Sequence, residues 1–206
     1  MEYIEGLGVE YYEKEQEYCR LLQEVPSEVV KSLNPNFEFL SKPRSSEKTV
    51  FIVRDSTDDI TKVLKIEPWR SLNGPVCESV ALGKLRAIKG IPQIYVSELD
   101  TDILPYGQCA YLCEHIEGTP LKQIEFDPLV YLRMGKMVSS FNKRGFMLPC
   151  DWKNNTIVDE NGQPWLVDLG HIKYYDKDRD FDQGDIFFAI WGGFLRDERS
   201  GVPLRK

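Results

Sequence analysis

The stretch Pro149–His171, PCDWKNNTIVDENGQPWLVDLGH, constrains the fold of this chain more than any other. Asp159-Glu-Asn-Gly162 carries turn chemistry, and the apolar runs on either side of it predict a β-hairpin. Asp151, Lys153 and Asn155 precede the hairpin, and Asp168-Leu-Gly170 closes it. A carboxylate that orients an attacking hydroxyl, and an amide and a second carboxylate that hold Mg²⁺ on phosphates, are the groups phosphoryl transfer requires. Read alone, Asp168-Leu-Gly170 is also an ordinary turn at the end of a strand.

The rest of the chain narrows the class. Its 206 residues, 42% of them hydrophobic, suffice for one sizeable core or two small lobes. A net charge of −7 argues against a nucleic-acid binder held by phosphate contacts, which needs a basic face. The acidic start, MEYIEGLGVEYYEKEQEY, lacks the pattern of a secretory signal. The longest apolar run, Ile186–Leu195, falls short of the roughly 20 residues that span a bilayer and reads as a buried helix. Five cysteines without CxxC spacing and two histidines speak for reduced thiols, a cytoplasmic location and no zinc site.

The order of elements predicts an α+β chain. Glu10–Val25 has the spacing of an amphipathic helix, with Pro26 and Asn34-Pro35-Asn36 as breaks after it. Residues 37–40, 49–54 and 61–66 read as strands, with Lys42–Lys48 a polar turn. Pro75–Lys89 reads as a helix with Val76, Val80, Leu82, Leu85 and Ile88 on one apolar stripe, ended by Gly90. Strands at Ile94–Leu99 and Gln108–Glu114 follow, then a long helix opened by Asp127-Pro128, the hairpin, and a last strand at Trp165–Asp168. This predicts a helical extension (1–36), a β-rich N-lobe (37–116) and a mostly helical C-lobe (117–206), with a ligand cleft between the lobes.

In that order the motifs resemble the protein-kinase-like superfamily, whose pattern is H-R-D-x-x-x-x-N, a hairpin, then D-F-G. The resemblance covers residues 37–195 and implies a two-lobed protein-kinase-like fold. Lys65, in Val63-Leu-Lys-Ile66, stands where the strand lysine of kinases stands, and Glu78 is the carboxylate that would fix it. Asn155 and Asp168 match the metal ligands, and Lys153 matches the D-x-K lysine that neutralises the transferred phosphoryl group. Asp151 stands one residue nearer the asparagine than the pattern puts its aspartate, which implies either a shortened loop with Asp151 as the catalytic aspartate or a lost position and a pseudokinase; the D-x-K match of Lys153 favours the first. Pro149-Cys150-Asp151 resembles the H-C-D of RIO-type kinases. The glycine-loop positions are Pro43, Ser45 and Lys48, so Ser45, Ser46, Lys48 and Thr49 would meet phosphate through side chains instead. Glu114 and Ile116 match the backbone contacts to adenine, with Cys113 as the small gatekeeper, and Asp185 matches the aspartate that ties the apolar helix to the catalytic loop. Alone, Lys65 reads equally as an exposed strand lysine, and Glu78 as a solvated helix carboxylate.

The resemblance implies an atypical kinase that uses ATP and Mg²⁺ and transfers the γ-phosphate to a hydroxyl of a protein or a small molecule. Eleven residues follow Leu195, and no A-P-E segment separates Gly170 from Asp185, which implies a truncated C-lobe and no regulated activation loop. Two alternatives stand beside it. One is a pseudokinase scaffold that binds a protein partner at the C-terminal apolar helix. The other is a kinase-fold enzyme that hydrolyses ATP or transfers AMP.

Overall fold

The computed structural model describes residues 24–43, 48–68, 78–99, 108–147, 152–169 and 172–174, together with Gln16, Glu17, 20–22 and Leu104. It is a mixed α+β chain that divides into two compact units: Met1–Lys84 with Pro92–His115, and Leu85–Ile91 with Ile116–Lys206. Asp151, Ser45, Ser46, Val76, Asp185 and the apolar run Ile186–Leu195 lie outside the described residues.

The first unit is built on a five-stranded antiparallel sheet of β1 (Phe37–Ser41), β2 (Thr49–Asp55), β3 (Ile60–Pro68), β4 (Ile94–Leu99) and β5 (Gln108–Glu114), in the order β1-β2-β3-β5-β4. Register decides which residues share a face, because side chains alternate along a strand. Phe51 pairs with Leu64 and Leu64 with Leu112. These residues, with Val53, Ile66 and Ala110, form a buried apolar layer with Leu22, Val29, Val30, Leu33 and Phe37. The other face carries Val50 opposite Lys65 and Lys65 opposite Tyr111. One face therefore makes a core, and the other brings charged groups together.

The helix that supplies Val29, Val30 and Leu33 is α1 (Pro26–Leu33), at a place the sequence marks as a break. Pro26 occupies the first turn, where proline's missing N–H is not needed and its fixed φ suits the helix. Glu28 in the first turn and Lys31 in the last complement the helix dipole. At the far end the Asn34 side chain accepts from Asn36 N–H at 2.9 Å and turns the chain into β1.

The next helix, α2 (Glu78–Leu85), ends four residues earlier than expected, and Val80 is 44% exposed rather than part of the apolar stripe. Among its described residues Glu78, Ser79, Ala81, Leu82 and Leu85 are buried, and Val80 projects away from them at 100° per residue. The buried face thus includes a carboxylate.

In the second unit, α3 (Pro128–Asn142) starts at Asp127, whose side chain accepts from Leu129 N–H at 2.8 Å. Val130, Met134, Met137, Val138 and Phe141 form its buried stripe. Two short strands, β6 (Thr119–Pro120) and β7 (Phe146–Met147), flank it. The expected hairpin forms between β8 (Thr156–Val158) and β9 (Pro164–Leu166), so the last strand ends two residues before Asp168. β6 pairs with β8, and β7 with β10 (Lys173–Tyr174). Gly90 takes φ +95°, its carbonyl accepts from Leu166 N–H at 2.8 Å, and a Cβ there would lie 2.4 Å from the Pro164 carbonyl oxygen. Gly90→Ala therefore combines a left-handed backbone with a backbone clash and is expected to cost about 3 kcal/mol, read as a lower urea midpoint.

Candidate active site

Four charged side chains meet on the polar face of the first sheet. Lys65 Nζ donates to Glu78 Oε1 at 2.8 Å, and Lys48 Nζ donates to Glu78 Oε2. Lys48 Nζ also lies 3.6 Å from Glu67 Oε2, and Glu67 Oε1 accepts the backbone N–H of Glu78 at 2.8 Å. Side-chain exposure is 3% for Lys48, 7% for Lys65, 2% for Glu67 and 0% for Glu78, so these charges are held away from water. The register explains the convergence. Lys65 and Glu67 are two apart on β3, and β2 runs antiparallel with Thr49 opposite Ile66, so Lys48 continues the ladder opposite Glu67.

The electrostatics follow from burial and pairing. Burial alone would raise the Glu78 carboxyl, but Lys65 and Lys48 outweigh it and hold its pKa down at about 2. Glu67 shifts the other way, because its burial outweighs the pull of Lys48 and the Glu78 charge adds to the rise. Burial, reinforced by the Glu78 and Glu67 charges, pushes the Tyr111 phenol well above its ordinary value. Burial likewise pushes the Cys113 thiol to about 11, so this residue is a small apolar group and not a nucleophile.

Lys65 and Glu78 thus form the ion pair that the sequence predicts for them. Lys48 does not lie in an exposed polar turn; it is turned inward, where two carboxylates offset its desolvation. Sequence reasoning missed Lys48 and Glu67 as members of this cluster. The signal was their parity, since Lys48 shares a face with Val50, and Glu67 with Lys65.

Glu114 closes β5. Its N–H donates to the Gln93 carbonyl at 2.8 Å and its carboxylate accepts from Gln93 N–H at 3.0 Å. Both groups are committed to that pairing. Ile116, two residues on, is buried at the start of the second unit.

The second unit gathers the other expected groups at one end of the β8–β9 hairpin. Thr156 pairs with Leu166, and Val167 N–H donates to the Asn155 carbonyl at 2.8 Å, so Asn155 and Asp168 emerge from the same end. The turn before β8 is fixed at the Trp152 carbonyl, which accepts from Asn155 N–H at 3.2 Å and from Thr156 Oγ1 at 2.7 Å. Trp152 packs on Tyr131 of α3 edge to face, and Lys153 Nζ lies 5.8 Å from the Trp152 ring centroid. At the closed end, Asp159 accepts from Asn161 N–H, Gln163 N–H and Trp165 Nε1–H, each at 2.9 Å. Burial would raise its carboxyl, but these donors outweigh it and lower the pKa.

Among the described residues, no group of three or more His, Cys, Asp and Glu side chains comes together to hold a metal ion. Asn155 and Asp168 offer two oxygen ligands, a donor set that suits Mg²⁺, which keeps water and phosphate oxygens for most of its shell. Among the same residues no helix is long and apolar enough to cross a membrane. No protein-family model matches the chain, and no curated protein matches it either.

Proposed function

We propose that this chain is an ATP- and Mg²⁺-dependent phosphotransferase, an atypical member of the protein-kinase-like superfamily. The observation that carries the reading is the buried pair of Lys65, on the third strand of the sheet, with Glu78, on the helix that follows. A strand lysine fixed by a carboxylate of the next helix is what kinases use to hold nucleotide phosphates. Stability alone gives little reason for such a pair, because apolar residues of similar volume commonly replace a buried ion pair at no loss.

Each group then has a role. Lys65 neutralises charge on the α- and β-phosphates. The backbone at Glu114 and Ile116 meets the adenine, and Ser45 and Ser46 meet phosphate. Asn155 and Asp168 hold the metal, which offsets charge on the phosphate oxygens. Asp151 orients the acceptor hydroxyl, on a protein or a small molecule, and Lys153 stabilises charge on the group in flight. Positioning and preset charge account for the catalysis.

One observation favours a second reading, a scaffold without turnover. Phe126, Leu129 and Leu132, at and just before the start of α3, are 54%, 61% and 56% exposed, an apolar surface of the kind that protein partners cover.

The test is transfer of γ-labelled phosphate from ATP with Mg²⁺, following protein, free phosphate and nucleotide products together. Asp151→Ala is expected to lower transfer by about 10²–10⁴-fold, the worth of a positioned acid–base group. Wild-type transfer that the substitution leaves unchanged would overturn the role of Asp151. Free phosphate or AMP-linked protein as the sole product would replace transfer to an acceptor by the other nucleotide chemistries.

A further inference from the structure

The cluster around Glu78 contains a lysine that the phosphotransferase reading does not use. Glu78 has two carboxylate oxygens, and each is engaged by a different lysine, Oε1 by Lys65 and Oε2 by Lys48. Lys48 is held in turn by Glu67, and Glu67 holds the backbone of Glu78. Lys48, Glu67 and Glu78 therefore close a loop that ties the start of α2 to the chain just before β2 and to β3.

We infer that Lys48 is a positioning residue, which occupies the second oxygen of Glu78 and so fixes the carboxylate that aims Lys65. The inference rests on the reading of Lys65 as the phosphate-binding lysine. It sets Lys48 apart from the phosphate contacts that its place in the sequence predicts, because its ammonium is held against two buried carboxylates.

Geometry and charge both require it. A carboxylate bonded at one oxygen can swing about its χ angles, and Lys65 would swing with it; bonded at both oxygens and at the backbone N–H, Glu78 has one orientation. Among the described residues, the groups that face Glu78 include Lys48 from the edge of β2, Lys65 and Glu67 from β3, and Tyr111 and Cys113 from β5. Removing Lys48 takes a cation from Glu67 and from one oxygen of Glu78.

The test reads Lys65 directly in the ligand-free full chain, as the rate at which acetic anhydride modifies Lys65 over a pH series, quantified by mass spectrometry and extrapolated to the fully deprotonated amine, so that the change in Lys65 protonation caused by the altered charge is removed from the comparison. Lys48→Gln is expected to raise that rate about tenfold, the loss of one charge-assisted hydrogen bond from the partner that protects Lys65. Lys48→Arg is expected to hold it within about twofold of wild type, because a cation is restored to Glu78 Oε2. Glu67→Gln keeps an acceptor for the Glu78 N–H and leaves the Lys48–Glu78 contact in place, so it should leave the rate at or below wild type. Thermal unfolding midpoints keep fold loss apart from local release, and the arginine and glutamine variants decide the matter if Lys48→Gln does not fold.

A Lys65 rate unchanged in folded Lys48→Gln, or raised in Lys48→Arg or Glu67→Gln, overturns the inference. Affinity for Mg²⁺·ATP tests the other layer. A wild type that binds no ATP but shows the predicted labelling pattern would retain the positioning role and overturn the nucleotide reading alone.

Discussion

Glu78→Ala is expected to destabilise the protein by about 3–5 kcal/mol, the cost of leaving buried charge without its partner. Two lysines, 3% and 7% exposed, share this carboxylate. Urea denaturation followed by fluorescence checks the value. The effect also has a pH signature. The Glu78 carboxyl lies at about 2 in the folded chain against 4.5 ordinarily, so its contribution is fully present above about pH 4.5 and is lost as pH falls toward 2. Glu67 has the opposite sign: its raised pKa contributes stability below the ordinary carboxylate range, lost as pH rises through the shifted value. Wild type should therefore lose stability in acid through Glu78, and Glu78→Gln should lack that part of the acid limb. A Glu78→Ala protein as stable as wild type would show that the lysines find other partners.

Asp168→Ala is expected to reduce phosphoryl transfer by about 10²–10³-fold or more, as loss of a preset charge at the reacting group does. Stability should change by no more than about 1 kcal/mol, because the side chain is partly exposed. What places Asp168 is backbone: the Val167–Asn155 hydrogen bond and the Thr156–Leu166 register survive a change of side chain. Asn155→Ala removes a neutral ligand and should cost less. Kinetics at rising Mg²⁺ give the second readout, since loss of a metal ligand raises the Mg²⁺ concentration needed for half-maximal rate. A variant whose Mg²⁺ dependence matches wild type would remove Asp168 from the metal site.

The strands were legible from their apolar and β-branched runs between turn residues, although β5 is buried without a break from Cys109 to Cys113 and the pairings of β1 and β4 carry register shifts. Lys65 and Glu78 were legible from order alone, a strand lysine followed by a helix carboxylate. Helix α1 was not, because eight residues are too few for a clear 3.6-residue period and Pro26 reads as a breaker when it stands outside a helix. Val80 misled because it lies off the line of the stripe, whose Leu82, Leu85 and Ile88 are buried as expected. Lys48 reads in the sequence as a phosphate contact at a polar turn, and only the pairing of β2 with β3 brings it against Glu67 and Glu78. The hairpin from Thr156 to Leu166 was fully legible, since Asp159 and Gly162 specify the turn and the turn fixes the register that brings Asn155 and Asp168 to one end.

The most direct measurement is calorimetric titration of the full chain with a non-hydrolysable ATP analogue, with and without Mg²⁺, in wild type, Lys65→Met and Asp168→Ala. Binding in wild type that strengthens with Mg²⁺, weakens about tenfold or more in Lys65→Met, and loses its Mg²⁺ dependence in Asp168→Ala is the predicted result. Equal affinity in all three proteins, or no binding in wild type with its fold intact, would contradict the account.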